Sequence, residues 1–406
     1  MKELVDHRTA HSKTFSRGAK RRCEISGAPM HYKVDYADDF ETWKDIDCTW
    51  RDGRITAAPY TAEIDGLTLR VIDKRTGKTS TISLESIGGE SVTGSSAFIL
   101  NGRVARISDF ALDADLEIVA GPKSISFRRV LKSDKAHLDA SFKIEGDIPV
   151  VYQARDADGE PLHVTVLDLG GNLKSETILA ADLKGLDGAP VRYPLCIDPT
   201  LTVQPSALDT YIYEGSPTSH YGTAIFLRMQ SYTDYVMRVL LEFDISAVPA
   251  WAIPSSATLS LYYYYDNFAN AAGETVWAYK LTNTDWNEFN TTWNVYKTAN
   301  NWTAAGGDYV TVAPPGASTV FPGAVNAWMN WDVLDIIEDA IGNSDPAEFL
   351  IRFDDETYAV ADRVLTGWYS NNYVVDTDLC PKLVIDYPLN PDLPWLPPRA
   401  TMMMSG

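Results

Sequence analysis

The sequence predicts an all-β protein: two antiparallel β-sandwich-like domains in tandem, the second with one short amphipathic helix. Three observations carry that expectation. From Cys23 to Pro199, short apolar and polar alternations recur at roughly ten-residue spacing, each closed by a turn signal. Between Asp209 and Tyr387 lie 31 of the 45 aromatic residues, with seven Lys and Arg against 23 Asp and Glu; aromatic and β-branched side chains suit a pleated, half-buried surface. No long helical period separates the strand-like runs, which argues for packed sheets rather than alternating strands and helices.

Residues 1–22 hold seven Lys and Arg against two acids, opposite in sign to the rest of the chain, and include Arg17, Lys20, Arg21 and Arg22. They read as an extended basic arm that a partner orders. In 23–199, Leu67-Thr-Leu-Arg-Val-Ile-Asp73 runs into Arg75-Thr-Gly-Lys78, Phe98-Ile-Leu100 into Asn101-Gly102, and His163-Val-Thr-Val-Leu167 towards Gly170-Gly171. Such punctuation between β-branched runs specifies hairpins. The two prolines of Tyr193-Pro-Leu-Cys-Ile-Asp-Pro-Thr200 hold the residues before them extended. That segment reads as a stiff connector, followed by a linker at 200–208 and a second domain at 209–388. In the second domain, Leu259-Ser-Leu-Tyr-Tyr-Tyr-Tyr265 reads as a strand with aromatics on both faces. Val333, Ile336, Ile337, Ala340 and Ile341 recur at helical spacing, Asn330 or Asp332 can cap and Gly342 can stop, so a helix is expected over 330–341, plugging one end of the sandwich. Residues 389–406, with four prolines and three consecutive methionines, form a Pro-rich tail.

Composition excludes several classes. A formal charge of −20 argues against nucleic acid as a partner, since phosphate binding concentrates Lys and Arg. No run approaches the ~18 apolar residues of a membrane span, and the first residues lack the apolar core of a secretory leader, so conventional export is not expected. Cys23, Cys48, Cys196 and Cys380 are too scattered for a disulfide scaffold and read as buried thiols, with a Cys23–Cys48 bridge as the alternative. Six dispersed histidines give no metal cluster, and no nucleophile motif for a serine or cysteine hydrolase is present.

Carboxylates need separate weighing, because glycoside hydrolysis requires only two. Asp354, Asp355 and Glu356 are consecutive; in a strand Asp354 and Glu356 would share a face. A solvated turn, a structural calcium site and a catalytic pair are the three readings, calcium being the one cofactor these residues leave open. Asp156-Ala-Asp158-Gly159 reads as a hairpin turn. Arg228, Lys280 and Arg363 are scarce cations in an acidic domain, suited to internal ion pairs or to an anionic ligand.

Asp209-Thr-Tyr-Ile, Ser219-His-Tyr-Gly, Arg238-Val-Leu-Leu-Glu-Phe, Ile253-Pro-Ser-Ser-Ala-Thr-Leu, Asp285-Trp-Asn-Glu with Thr291-Thr-Trp, and Pro381-Lys-Leu-Val-Ile-Asp-Tyr follow one another in an order that resembles the DNRLRE-type domain. That resemblance implies a β-sandwich carbohydrate-binding module of bacterial surface and phage proteins. Leu4-Val-Asp-His-Arg, Met30-His-Tyr-Lys, Trp43-Lys-Asp-Ile-Asp47 and the Tyr-Pro connector look like the N-terminal region that precedes this module in wall-associated and phage structural proteins. The Trp286-x-Glu288 and Thr292-Trp293 signature suits core and loop anchors better than sugar platforms. Ligand contacts are expected instead from Arg363, Trp368, Tyr369 and Tyr373, where related domains carry an aromatic-Ser segment, with Arg228 and Lys280 as further candidates. Asn371 and Asn372 stand where that family commonly has a basic and an acidic residue.

The expected function is that of a non-enzymatic phage virion structural protein, a capsid decoration, head-fibre or tail-associated component, that displays a glycan-adhesion module. Its expected partners are other virion proteins, reached through Arg17, Lys20, Arg21 and Arg22, and cell-surface polysaccharide, with no nucleic acid and no membrane; a homo-oligomer is expected. The alternatives are a polysaccharide lyase or hydrolase and a purely architectural surface protein, and the alternative location is extracellular or on a bacterial cell surface.

Overall fold

The computed structural model describes all residues except 37–42, 93–96, 158–160, 185–189, 203–207, 312–315, 360–361, 374–376 and 389–406. The Pro-rich tail, most of the linker and the Asp158-Gly159 turn therefore lie outside the described residues. The fold is all-β, as expected, with sandwich-like sheets and, among the described residues, one α-helix, Leu334–Asn343.

The alternation in 54–202 builds two facing sheets. One runs in the order Thr165–Gly170, Leu173–Thr177, Ala140–Gly146, Thr79–Ile87, Thr68–Asp73, Tyr60–Asp65 and Arg54–Ile55. The other runs Ile99–Asn101, Val104–Ala111, Ala114–Ala120, Ser124–Leu131, Leu195–Thr202, Val150–Arg155 and Pro161–Leu162. Every second residue points inward, as the two-residue period requires: Leu69, Val71 and Ile82 from one sheet meet Leu116, Ile118 and Phe127 from the other in one core. Hairpins form at Gly77, Gly102 and Gly171, each at positive φ, where glycine carries no Cβ penalty. Arg129 ties the sheets together, its Nη2 3.1 Å from Glu176 Oε1 while its guanidinium also donates to His137 O and Leu138 O. Burial pushes the Glu176 carboxyl up to about 7 against the pull of that arginine.

The expected connector is a central strand. Leu195–Thr202 lies between Ser124–Leu131 and Val150–Arg155, and Pro199 is accommodated because the ladder to Ser124–Leu131 is interrupted at Asp198 and Pro199. Pro199 marks a break in one ladder rather than the end of the domain.

The second domain curls one 13-stranded sheet around a core containing Tyr211, Met229, Leu259, Trp331, Phe349 and Trp368. Its order from the edge inward is Lys2–Glu3, Ser12–Arg17, Lys20–Ser26, Lys382–Pro388, Ser256–Asp266, Val364–Tyr369, Phe226–Ser231, Met237–Phe243, Ala347–Phe353, Thr275–Lys280 and Gly316–Val320. Asp209–Tyr213 pairs with Met237–Phe243, and Ala327–Asp332 pairs with Ser256–Asp266. Residues 327–332 are therefore strand, and the helix begins later than its periodicity suggested. Asp332 Oδ1 accepts from Leu334 N, and the left-handed stop is Ser344 at φ 60° rather than Gly342. Ile336, Ile337, Ala340 and Ile341 bury into the core as the periodicity required.

The basic N-terminal segment is not a free arm. Lys20–Ser26 forms a full antiparallel ladder with Lys382–Pro388, from Lys20 opposite Pro388 to Ser26 opposite Lys382. Cys23 and Ile25 enter the core of the second domain, and Arg22 makes a two-pronged ion pair with Asp386 at 2.8 and 2.9 Å. The period-2 alternation Cys23, Ile25 is short, and the flanking charges masked it as a strand signal. The two candidate bridge cysteines sit in different cores, and all four cysteines are thiols, Cys196 only half-buried. Ile25→Ala in the full chain is expected to destabilise the second domain by about 2–4 kcal/mol. Chemical denaturation followed by tryptophan fluorescence checks this, and an unchanged midpoint would mean that the hairpin is peripheral.

Candidate functional site

Six half-buried aromatic rings form a strip on the outer face of the second domain's sheet. Phe226, Tyr262, Tyr264 and Tyr369 come from the strands Phe226–Ser231, Ser256–Asp266 and Val364–Tyr369; Trp328 comes from Ala327–Asp332, and Tyr373 from the loop that follows Tyr369. Outward placement follows from the two-residue period: Leu261 and Tyr263 point into the core, so Tyr262 and Tyr264 both face out. Tyr373 stacks on Tyr369 at 3.9 Å, Tyr369 on Tyr264 at 4.6 Å, and Tyr264 on Phe226 at 4.3 Å. Tyr262 lies 5.9 Å from Tyr369 and meets Trp328 edge-on at 5.3 Å. Gly367 makes room for this: a Cβ there would stand 3.3 Å from Tyr264 Cε1, so the ring lies across the strand.

A polar knot holds Tyr373 in the stack. Asn371 N donates to Asp209 Oδ2 at 2.6 Å, and Asn372 Nδ2 donates to Gly222 O and Ala224 O. Ser370 Oγ sits 2.8 Å from Ala224 O, and Tyr373 N donates to Ser370 O. Asn371, through its backbone N–H, thus fastens this loop to Asp209, and Asn372, through its side chain, fastens it to 222–224. Gly27, just beyond the N-terminal ladder, packs against the same loop, since a Cβ there would fall 1.7 Å from Asn371 Oδ1.

The strip borders the contact between the domains. Lys382 Nζ lies 4.4 Å from the Trp328 ring and also lines a cleft of about 430 Å³ with Lys13, Glu24, Asp45, Arg103 and Asp378. Beneath, Lys123 reaches from the turn between Ala114–Ala120 and Ser124–Leu131 and is buried near Asp209 and Glu288. Burial raises both carboxyls above their ordinary range, and the nearby Lys123 charge opposes that rise.

Of the residues expected to contact ligand, the structure brings Tyr369 and Tyr373 together and places the others elsewhere. Trp368 is fully buried, its ring 5.5 Å from Phe321 and 6.3 Å from Trp331, because it occupies the inward position of a strand whose outward position is Tyr369. It cannot offer a ring face. Arg228 is buried with its guanidinium 4.9 Å from the Tyr265 ring, Lys280 pairs with Asp339, and Arg363 lies 4.1 Å over Phe268. Phe226, Tyr262, Tyr264 and Trp328 were not singled out by sequence; the signal for Tyr262 and Tyr264 was the four-tyrosine run, and strand pairing supplies the rest.

Asp354, Asp355 and Glu356 do not converge. Asp354 Oδ1 accepts from Trp277 Nε1 at 2.9 Å, Asp355 Oδ1 caps its own turn through Thr357, and Glu356 is clamped by Arg238 at 2.9 and 2.7 Å and by Arg352 at 2.9 Å. Among the described residues no cluster of three His, Cys, Asp or Glu is arranged to hold a metal. Trp286, Trp293 and Trp302 anchor the 282–309 loop over a small second core with Ile212, Leu240 and Leu350. Arg17 and Lys20 are exposed at the tip of the N-terminal hairpin, Arg21 donates to Ser16 Oγ at 2.5 Å, and Arg22 is held by Asp386.

Residues 209–384 match the family model of the disaggregatase related repeat domain, a span that nearly coincides with the second domain. No curated protein sequence matches the chain. Among solved structures, PNGF-II aligns at TM-score 0.20 and 7% identity over 94% of this chain, which spans 65% of that protein. SGBP-B from a complex xyloglucan utilization locus in Bacteroides uniformis aligns at TM-score 0.20 and 10% identity, over 89% of this chain and 97% of that one. The N-terminal domain of the Streptococcus gordonii adhesin Sgo0707 aligns at 0.17 and 7%, over 96% and 97%. No helix among the described residues is long and apolar enough to cross a membrane.

Under the 282–309 loop, Glu348 faces Glu242 directly across the ladder. Burial, reinforced by Glu242, pushes the Glu348 carboxyl up to about 8, while Trp286 Nε1 donates to it at 3.0 Å. A carboxyl raised in the fold above its unfolded value stabilises the protein while protonated, and that contribution is lost as pH rises towards the folded value. Burial also raises Glu242, to about 6, so its effect has the same sign. Stability is therefore expected to fall between pH 5 and 8, with a shallower fall in Glu348→Gln. Denaturation midpoints across that range check it, and parallel slopes for the two proteins would refute the assignment.

Proposed function

We propose that this chain is a non-enzymatic phage virion structural protein, a capsid decoration, head-fibre or tail-associated component, whose second domain binds cell-surface polysaccharide through the aromatic strip. The observation that carries the glycan reading is the strip itself. Five rings on adjacent strands and a sixth on the loop that follows form one half-buried row, beside a cleft lined by charged side chains. Flat apolar faces with polar rims suit pyranose rings, which are apolar on one face and ringed with hydroxyls. The ordered segments that resemble the DNRLRE-type carbohydrate-binding module support the same reading, and the N-terminal segments that resemble those of phage structural proteins support a virion context.

The non-enzymatic reading is supported by the environment of the acidic residues. Glu356 is neutralised by two arginines, Asp355 is held in its own turn and Asp354 by an indole. None is paired as the acid and nucleophile of a glycosidase, which need two carboxyls facing one bond. For attachment, the hairpin tip with Arg17 and Lys20 offers the exposed positive charge that could meet an acidic assembly surface, in a chain of net charge −20.

Tyr373→Ala and Trp328→Ala are each expected to weaken retention on host cell-wall polysaccharide by about 1 kcal/mol without lowering the melting temperature. Trp368→Ala should instead lower stability by about 3–5 kcal/mol. Sedimentation with purified walls and thermal melts check these, and undiminished retention in both surface variants would end the glycan reading. The double variant Arg17→Glu with Lys20→Glu is expected to fold normally but to be lost from purified particles, as read by mass spectrometry. Full occupancy of the variant, or absence of the wild type from particles, would rule out the virion attachment proposed here.

A further inference from the structure

A second row of rings lies on the other flank of the same sheet, with the strands Met237–Phe243 and Ala347–Phe353 between it and the strip. The strand Thr275–Lys280 directs Val276 and Ala278 into the core, so Trp277 and Tyr279 face out, both half-buried. Their rings stand 5.4 Å apart and within 13° of parallel, and Tyr309 lies 5.1 Å beyond Tyr279. On the neighbouring edge strand, Gly316 is opposite Tyr279 and Ser318 opposite Trp277. A Cβ at Gly316 would come within 2.9 Å of Tyr279 Cδ1, so the ring lies down across the glycine, as Tyr264 lies across Gly367 in the first strip.

The polar groups around these rings are fixed. Trp277 Nε1 donates to Asp354, and Arg352 Nη1 donates to the Tyr309 hydroxyl at 2.6 Å. Arg352 is also committed to Phe353 O at 2.9 Å and to Glu356 at 2.9 Å, so its charge is already answered. Asp354, exposed and bonded to Trp277 Nε1, and the exposed Ser318, opposite Trp277 on the edge strand, flank the rings. Such a rim accepts hydrogen bonds from hydroxyls and repels anions.

We propose that Trp277, Tyr279 and Tyr309 form a second saccharide platform, selective for neutral polysaccharide over uronate polymers, with Asp354 and Ser318 as the hydroxyl-binding rim. This rests on the reading of the second domain as a glycan binder and adds a second point of attachment on one chain. Two platforms on one rigid sheet engage a polymer together, so each strengthens the other through effective concentration.

The test is affinity electrophoresis of the full-length protein in gels cast with a soluble β-glucan, a galactomannan or polygalacturonate. Trp277→Ala is expected to reduce retardation in a neutral gel by about fivefold. Gly316→Ala, which removes no ring but lifts Tyr279 from its bed, should reduce it in the same direction, so the result does not hang on one variant's folding. Combining Trp277→Ala with Tyr373→Ala should reduce retardation further than either alone. If Tyr373→Ala weakens retardation while Trp277→Ala and Gly316→Ala do not, the second platform is overturned and the first strip stands. Loss confined to polygalacturonate overturns the neutral selectivity, and a wild type retarded by none of the gels overturns both platforms.

Discussion

The ladder between Lys20–Ser26 and Lys382–Pro388 is the constraint on which the second domain depends. It satisfies the backbone groups along one side of Lys382–Pro388, whose other side pairs with Ser256–Asp266, and so turns a would-be edge strand into a central one. That central strand carries Leu383 and Ile385 inward and Lys382 outward, where the ammonium meets Trp328. Just beyond the ladder, Gly27 backs the loop that presents Tyr373. The aromatic strip and the interdomain cleft are thus set out by a strand drawn from the other end of the chain.

Much of the fold was legible because local signals agreed with tertiary demands. Turn glycines, alternating strands and the apolar face of the helix each pointed to the observed element. The failures share one cause: a local rule was overridden by a distant partner. Charge on Arg17, Lys20, Arg21 and Arg22 suggested an extended arm ordered by a partner, yet Asp386 and a waiting strand were 364 residues away for Arg22 in the same chain. Prolines in 193–200 suggested a connector, yet a gap in one ladder lets Pro199 stand in a central strand. Helix onset at residue 330 was suggested by Asn330 and Asp332, which instead end a strand paired to Ser256–Asp266.

The site was legible only in part, because strand parity decides which of two adjacent aromatics sees solvent. Trp368 and Tyr369 are equally aromatic in sequence, but one fills the core beside Trp331 and the other faces out over Tyr264. Rings brought together from four strands and a loop leave no linear signature. Cations scarce enough to look like ligand contacts turned out to be spent on ring faces and on an acidic helix, as Arg363 over Phe268 and Lys280 on Asp339 illustrate.

Joining Lys20–Ser26 to Lys382–Pro388 also orders events during synthesis. The hairpin leaves the ribosome ahead of the first sandwich, and its partner strand is made hundreds of residues later, after that sandwich can already have closed. Until then Cys23 and Ile25 have no core to enter, and the strand keeps an unpaired edge that can recruit another chain. The high density of positive charge at Lys20, Arg21 and Arg22 then acquires a second meaning: neighbouring copies of the same nascent strand repel one another, which protects the edge during the wait. Pairing across so long a separation makes closure of the second sandwich a slow, late step, and a chain cut short near its C-terminus would carry that waiting edge permanently.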